Sequence, residues 1–280
     1  MSALDNLPPQ QNLGPDVVLL EMAETAAHRA RSLTTPKVLV LSMLAGAFIV
    51  VGALFSVFLG AGVETEGLKS LLEGLGFSVG FFLVILTGAL LFTEVNVEVP
   101  TSVMSLYKEH GGFGGLVPSF MKLWGLAAIG NMVGSFIIGA VINFAHDLGP
   151  VERELFLEIV EGKLRYEEIG GANGFLQAIV SGILGNWLVG MAAFLSVMGR
   201  TIIGKYVPVF LMVTAFVSFG FLHSPANMAY FSLHGLTGEA TPWGDAFAWS
   251  IIPAAIGNII GAFLLVALPF WYAGTRHENG

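Results

Sequence analysis

The chain has 280 residues, 55% of them hydrophobic and only 11% charged, with a net charge of −8 and no cysteine. A soluble domain carries roughly 25% charged residues, so a soluble globular enzyme is excluded for want of polar surface, and the apolar surplus must face lipid. The missing cysteines exclude disulfides and thiolate metal sites, and no basic patch suits a nucleic-acid partner.

Residues 1–36 form a polar tail, expected to be cytoplasmic, in which Val17–Arg31 (VVLLEMAETAAHRAR) predicts a short amphipathic helix at the membrane surface. No basic region precedes an apolar core there, so it is not a signal peptide. Six apolar segments follow at about 38–60, 74–92, 119–144, 173–197, 206–222 and 246–272. Each is near the ~20 residues that cross the hydrocarbon of a bilayer. Together they predict a transmembrane domain over 37–275, followed by a cytoplasmic tail at 276–280. The second and fifth segments are interrupted: TEVNVEVP follows Phe92 and ends in Pro100, and HSPAN follows Leu222. Both read as helices that stop near the membrane centre, loop over 92–100 and 222–226, and resume. Irregular backbone at that depth is tolerated only where protein buries it or where it lines a cavity, and paired breaks point to a binding or conduction site.

The two halves also match. Gly130-Asn131-Met-Val-Gly134-Ser-Phe136 returns as Gly257-Asn258-Ile-Ile-Gly261-Ala-Phe263, and Thr93 stands opposite His223 at the two interruptions. A duplicated unit of three spans must be inverted in the membrane. The expected fold is therefore an all-α membrane protein, six transmembrane helices in two inverted three-helix repeats with the second and fifth broken. Glycines recurring through the spans predict close helix packing. For orientation, Arg29, Arg31, Lys37, Lys108, Lys122, Arg200, Lys205 and Arg276 fall on one side, and Lys69, Arg153, Lys163 and Arg165 on the other. The richer side is cytoplasmic, which puts both termini inside and the acidic 145–172 loop outside.

His223 is the leading functional candidate, because an ionisable group between apolar half-helices is costly and titrates near neutrality. Ser224-Pro225 suits a helix N-cap and first-turn proline, whose free amides favour an anion. Thr93 is expected within hydrogen-bonding reach of His223, its hydroxyl donating to one ring nitrogen while the other donates to a passing anion. Asn186 and Asn258 are mid-span amides, Asn258 suited to interhelical hydrogen bonding. Glu94 and Glu98 are expected at the cytoplasmic surface or in a water-filled vestibule. No HExxH, Walker, nucleophile-elbow or paired-carboxylate arrangement occurs, so no enzyme, catalytic residue, metal or cofactor is expected.

Four motifs in fixed order, GFSVGFFLVILTGALLFT (76–93), GILGNWLVGMAAFLS (182–196) followed by Gly199-Arg200, FxHSPANM (221–228) and IGNIIGAFLLVAL (256–268), resemble the formate/nitrite transporter family. The resemblance covers nearly all of residues 20–275. It implies an aquaporin-like fold, a homopentamer in the lipid bilayer and a separate pore in each protomer. It also implies that His223 is the central pore histidine and Thr93 the threonine facing it. Phe77 and Phe216 match one constriction, Phe81, Leu91 and Phe92 the other, and Asn186 and Val189 line the pore from the fourth span. One position departs from the family. A lysine usual before the fourth helix falls here at about Gly170, beside Glu167 and Glu168. Either Lys163 substitutes for it, or the outer mouth is acidic. The implied function is a channel-like transporter of small monovalent weak-acid anions (formate, nitrite or hydrosulfide), proton-coupled through the histidine, in a prokaryotic inner membrane. A pore for a neutral solute or ammonium/ammonia, or a non-conducting membrane scaffold or sensor, is the alternative.

Overall fold

A computed structural model describes residues 12–106 and 113–274. The expected tails beyond them, with Lys108 and Arg276, lie outside the described residues. Ten helices follow in order: α1 (Pro15–Ser32), α2 (Thr35–Gly60), α3 (Glu66–Thr87), α4 (Phe92–Ser105), α5 (Phe113–Ala145), α6 (Pro150–Ile169), α7 (Gly171–Met198), α8 (Ile202–Ser218), α9 (Ser224–Leu233) and α10 (Trp243–Gly274). The described residues contain no strand longer than the single bridge between Asn12 and Gly199. Five helices, α2, α3, α5, α7 and α10, are long and apolar enough to cross a membrane, while α8 is apolar but has only 17 residues. The last helix is uneven, with π-helical turns at Ala246–Ile251 and Phe263–Ala267.

Proline starts several of these helices, at Pro15, Pro36, Pro150 and Pro225, where its missing N–H costs nothing. The expected amphipathic helix is α1, which buries Val18, Leu19, Met22, Ala23, Ala26 and Ala27 against α4 and the ends of α5, α7 and α10. It therefore packs on the protein along its apolar face.

The chain leaves helical conformation between Thr87 and Phe92 and again between Ser218 and Ser224. The first interruption lies earlier than 92–100, and that stretch is helix α4. The helix stop is Gly88, left-handed at φ 68°, a conformation open to glycine at no steric cost. Pro100 is carried inside α4. The 145–172 segment is likewise mostly helix, because Leu155, Phe156, Val160 and Tyr166 form a buried stripe along α6 at helical spacing.

Glycine sets how closely the spans approach. A Cβ on Gly134 of α5 would stand 2.0 Å from the Met43 carbonyl oxygen of α2, and one on Gly261 of α10 would stand 2.2 Å from the Ile183 carbonyl oxygen of α7. Both crossings are backbone on backbone, as small residues permit in a bilayer. Gly261→Val is expected to abolish folded yield in detergent extracts, whereas Gly125→Ala, which meets nothing within 4 Å, should leave it unchanged.

Candidate functional site

Two asparagines hold the interruptions, and they do so alike. Asn131 on α5 donates through Nδ2 to the carbonyls of Ser42 and Leu90, both at 2.8 Å, and its Oδ1 accepts from the Phe92 amide at 2.8 Å. Asn258 on α10 donates to the carbonyls of Gly182 (2.8 Å) and Leu222 (3.3 Å), and its Oδ1 accepts from the Ser224 amide (2.9 Å) and hydroxyl (3.0 Å). Each side chain thus takes the carbonyl before and the amide after one extended residue, Leu91 in the first case and His223 in the second. By this bracket His223 corresponds to Leu91, the residue that precedes α4 as His223 precedes α9. Thr93 lies two residues further along.

His223 is buried, and its Nε2 lies 2.8 Å from Thr93 Oγ1. Its Nδ1 accepts from the Ala226 amide at 3.3 Å. The N-cap of α9 is therefore the imidazole, in place of the expected Ser224. This fixes the tautomer of a neutral ring: with Nδ1 accepting, the proton sits on Nε2 and is donated to the threonine oxygen. The expected polarity is reversed, since the imidazole donates to Thr93 and the threonine hydroxyl proton is left to point at a solute. A second proton on Nδ1 would face the Ala226 N–H and break the cap, so the geometry opposes a charged histidine.

On one side of His223 the Phe216 ring meets it edge-on at 5.3 Å, and Phe77 meets Phe216 at 5.9 Å. Phe77 also stacks on Tyr230 at 6.1 Å, and the Tyr230 hydroxyl is 2.8 Å from Ser56 Oγ. Beyond these rings opens a cavity of about 150 Å³, to which Glu73, Lys163, Arg165 and Phe221 also contribute. Lys163 Nζ stands 4.7 Å above the Tyr230 ring, a cation–π arrangement. Arg165 reaches the Gly220 carbonyl at 2.9 Å and so ties α6 to the end of α8. Burial, with the neighbouring Arg165 charge adding to it and Glu73 opposing, pushes the Lys163 amine down to about 7. Gly170 is the junction of α6 and α7, at φ 65° and ψ 174°, a region essentially restricted to glycine. A lysine there would be strained, and Lys163 is the amine that reaches the cavity.

The remaining candidates surround the centre without all touching it. Asn186 on α7 donates to the carbonyls of Asn258 (2.8 Å) and Thr93 (3.3 Å), while its buried Oδ1 has no partner among the described residues. Val189 is buried one turn further along the same helix. Phe81, Leu91 and Phe92 are buried in the packing around the first interruption. Glu94 and Glu98, expected at water, are 8% and 3% exposed, and Glu98 accepts both of its hydrogen bonds from Arg29 Nη1 at 2.8 Å. Sequence reasoning missed Asn131, Tyr230 and the part played by α6. Asn131 was legible as the repeat-mate of Asn258, and α6 as an apolar stripe behind Gly149-Pro150.

The profile of the Formate/nitrite transporter family matches residues 16–272. An uncharacterized transporter of Bacillus subtilis, YrhG, is 33% identical over 271 residues, 95% of each chain. The Probable formate transporter of Methanothermobacter thermautotrophicus is 30% identical over 84% of this chain and 88% of its own. Among solved structures, a pentameric formate channel with formate bound superposes with a TM-score of 0.67 at 26% identity, covering 85% of this chain and 97% of that one. The chain belongs to the formate/nitrite transporter family and is an integral membrane protein.

Proposed function

We propose that the chain is a channel-like transporter for small monovalent weak-acid anions of the formate, nitrite or hydrosulfide type. The observation that carries this reading is the hydrogen-bonded pair His223–Thr93 beneath the Phe77–Phe216 rings, with Lys163 in the cavity above them. The path enters that cavity, passes the aromatic pair, crosses the Thr93 hydroxyl and leaves along Phe81, Leu91, Phe92, Asn186 and Val189. The apolar rings exclude hydrated ions, and the Thr93 hydroxyl supports a desolvated anion. The matched brackets of Asn131 and Asn258 support two inverted repeats, with α3–α4 and α8–α9 as the broken second and fifth spans. Resemblance to the pentameric formate channel supports a homopentamer. The lysine and arginine distribution supports cytoplasmic termini in a prokaryotic inner membrane.

A neutral or ammonium pore was attractive only while the outer mouth lacked a cation, and Lys163 supplies one. The test is stopped-flow uptake by proteoliposomes offered formate, nitrite, hydrosulfide, acetate or ammonium. Uptake of the small anions, and none of ammonium, is expected. Ammonium uptake without anion uptake would sink the reading. Lys163 also gives the flux a pH dependence. A depressed amine is charged below its pKa and neutral above it, so anion entry should fall as pH rises through about 7. Lys163→Met should shrink that step and lower flux at acidic pH several-fold. An unaltered pH profile in that variant would show that the lysine does not draw the anion in.

A further inference from the structure

Down the inner half-helix α4, Glu94, Glu98 and Ser102 stand at i, i+4 and i+8, and so share one face over about 12 Å at ~1.5 Å per residue. All three are buried, at 8%, 3% and 0% exposure. The middle one is satisfied by Arg29, whereas among the described residues Glu94 Oε2 and Ser102 Oγ have no hydrogen-bond partner. Natural proteins seldom leave buried polar atoms unpaired, and an ionised carboxylate oxygen without a donor is costly.

The charges that act on Glu94 are Glu98 on its own helix, Arg29 on α1 and Lys205 on α8. Arg29 is committed to Glu98, and Lys205 donates to the Ser196 carbonyl at 3.1 Å. The other helices packed on α4, namely α5, α7, α9 and α10, bring no charged side chain except the exposed Lys122 and Asp245, and the remaining charged residues of α1 are exposed. Among the described residues Glu94 therefore faces a fixed carboxylate without a cation of its own, and two like charges at that spacing do not both ionise. Glu94 follows Thr93 in the first turn of α4, next along the chain to the group that meets His223.

We propose that Glu94, Glu98 and Ser102 form an inner proton path in which Glu94 holds the proton that travels with the anion. The inference rests on the transport reading above. In the step, the Glu94 O–H bond breaks and the proton passes to the anion at the centre, forming the neutral acid. The Glu94 carboxylate then retakes one proton from the cytoplasmic side past Ser102, and no other bond changes. Intramembrane carboxylate rows of this kind mark proton relays.

The test uses the full-length protein with two readouts. In proteoliposomes, internal formate and internal pH are followed together. The wild type is expected to take up a proton with each formate and to be accelerated by an inward proton gradient. Glu94→Gln should lose that acceleration at least tenfold while keeping slow formate exchange at equal pH. The second readout is the infrared carbonyl band of a protonated carboxyl at neutral pH, which needs no solute. The band should be present in the wild type and appear in the difference spectrum between wild type and Glu94→Gln. Unchanged proton coupling in Glu94→Gln, formate uptake by the wild type without protons, or a wild-type spectrum lacking the band each overturns the proposal. If Glu94→Gln does not assemble, the wild-type spectrum and the coupling of Glu94→Asp decide. A wild type that moves none of the small anions sinks the transport reading and the path with it, and the infrared result shows separately whether Glu94 holds a proton.

Discussion

Thr93→Val is expected to slow formate flux roughly 10- to 100-fold while the protein still assembles. Valine matches threonine in shape and removes only the hydroxyl. In the present geometry that oxygen accepts from His223 Nε2, which leaves its proton for the solute. A hydrogen bond to a charged partner contributes about 1.5–3 kcal/mol, and each 1.4 kcal/mol is tenfold in rate. Losing the bond at the highest point of the path gives the stated range. The histidine would also lose its acceptor, at roughly 1–3 kcal/mol of stability, which a well-packed bundle tolerates. Thr93→Ser keeps the hydroxyl and should stay within a few-fold of wild type. If serine is as slow as valine, the hydroxyl is not the donor and the imidazole must be.

The second large effect concerns folding. Asn258→Leu is expected to destabilise the protein by roughly 3–6 kcal/mol and to leave little assembled material after extraction. Asn258 satisfies the Ser224 amide and hydroxyl and the Gly182 and Leu222 carbonyls. Interhelical side-chain hydrogen bonds in membranes average only about 0.6 kcal/mol, and four of those would total far less than the expected loss. What raises the cost is that two of the released groups belong to a non-helical segment with no neighbouring turn to re-pair them, at about 1–3 kcal/mol each. Asn131→Leu should behave alike, since it brackets Leu91 in the same way. A thermal midpoint within a few degrees of wild type in either variant would show that the interruptions are held by other contacts.

Much of this architecture is legible in the chain. Span lengths follow from apolar runs, and the pairing of Asn131 with Asn258 follows from the repeated glycine-asparagine motif. The first interruption was misplaced because Pro100 is the more conspicuous breaker. The true stop is Gly88, and the segment after it is held at Leu91 by Asn131, far along the chain, a partner that no local pattern reveals. The polar run TEVNVEVP reads as exposed for the same reason: its compensating cation is Arg29, 69 residues from Glu98. The cap on α9 shows a subtler limit. Serine is the better N-cap by propensity, but the chain turns one residue earlier and His223 takes the position. Lys163 could be suspected from sequence, but only the path of α6 puts its amine over Tyr230.

The asparagine brackets also bear on how fast this centre can work. Each non-helical segment is clamped from both sides by a side chain mounted on a different span, so the backbone around Leu91 and His223 has no slack to hinge. Hinge and shear motions of whole elements take microseconds to milliseconds, whereas side-chain rotations take picoseconds to nanoseconds. In a centre stiffened this way the parts left to move are Phe77, Phe216 and the threonine hydroxyl. On the path proposed above, a solute would wait on the swing of two rings and one O–H, its passage timed by side chains with the helices standing still.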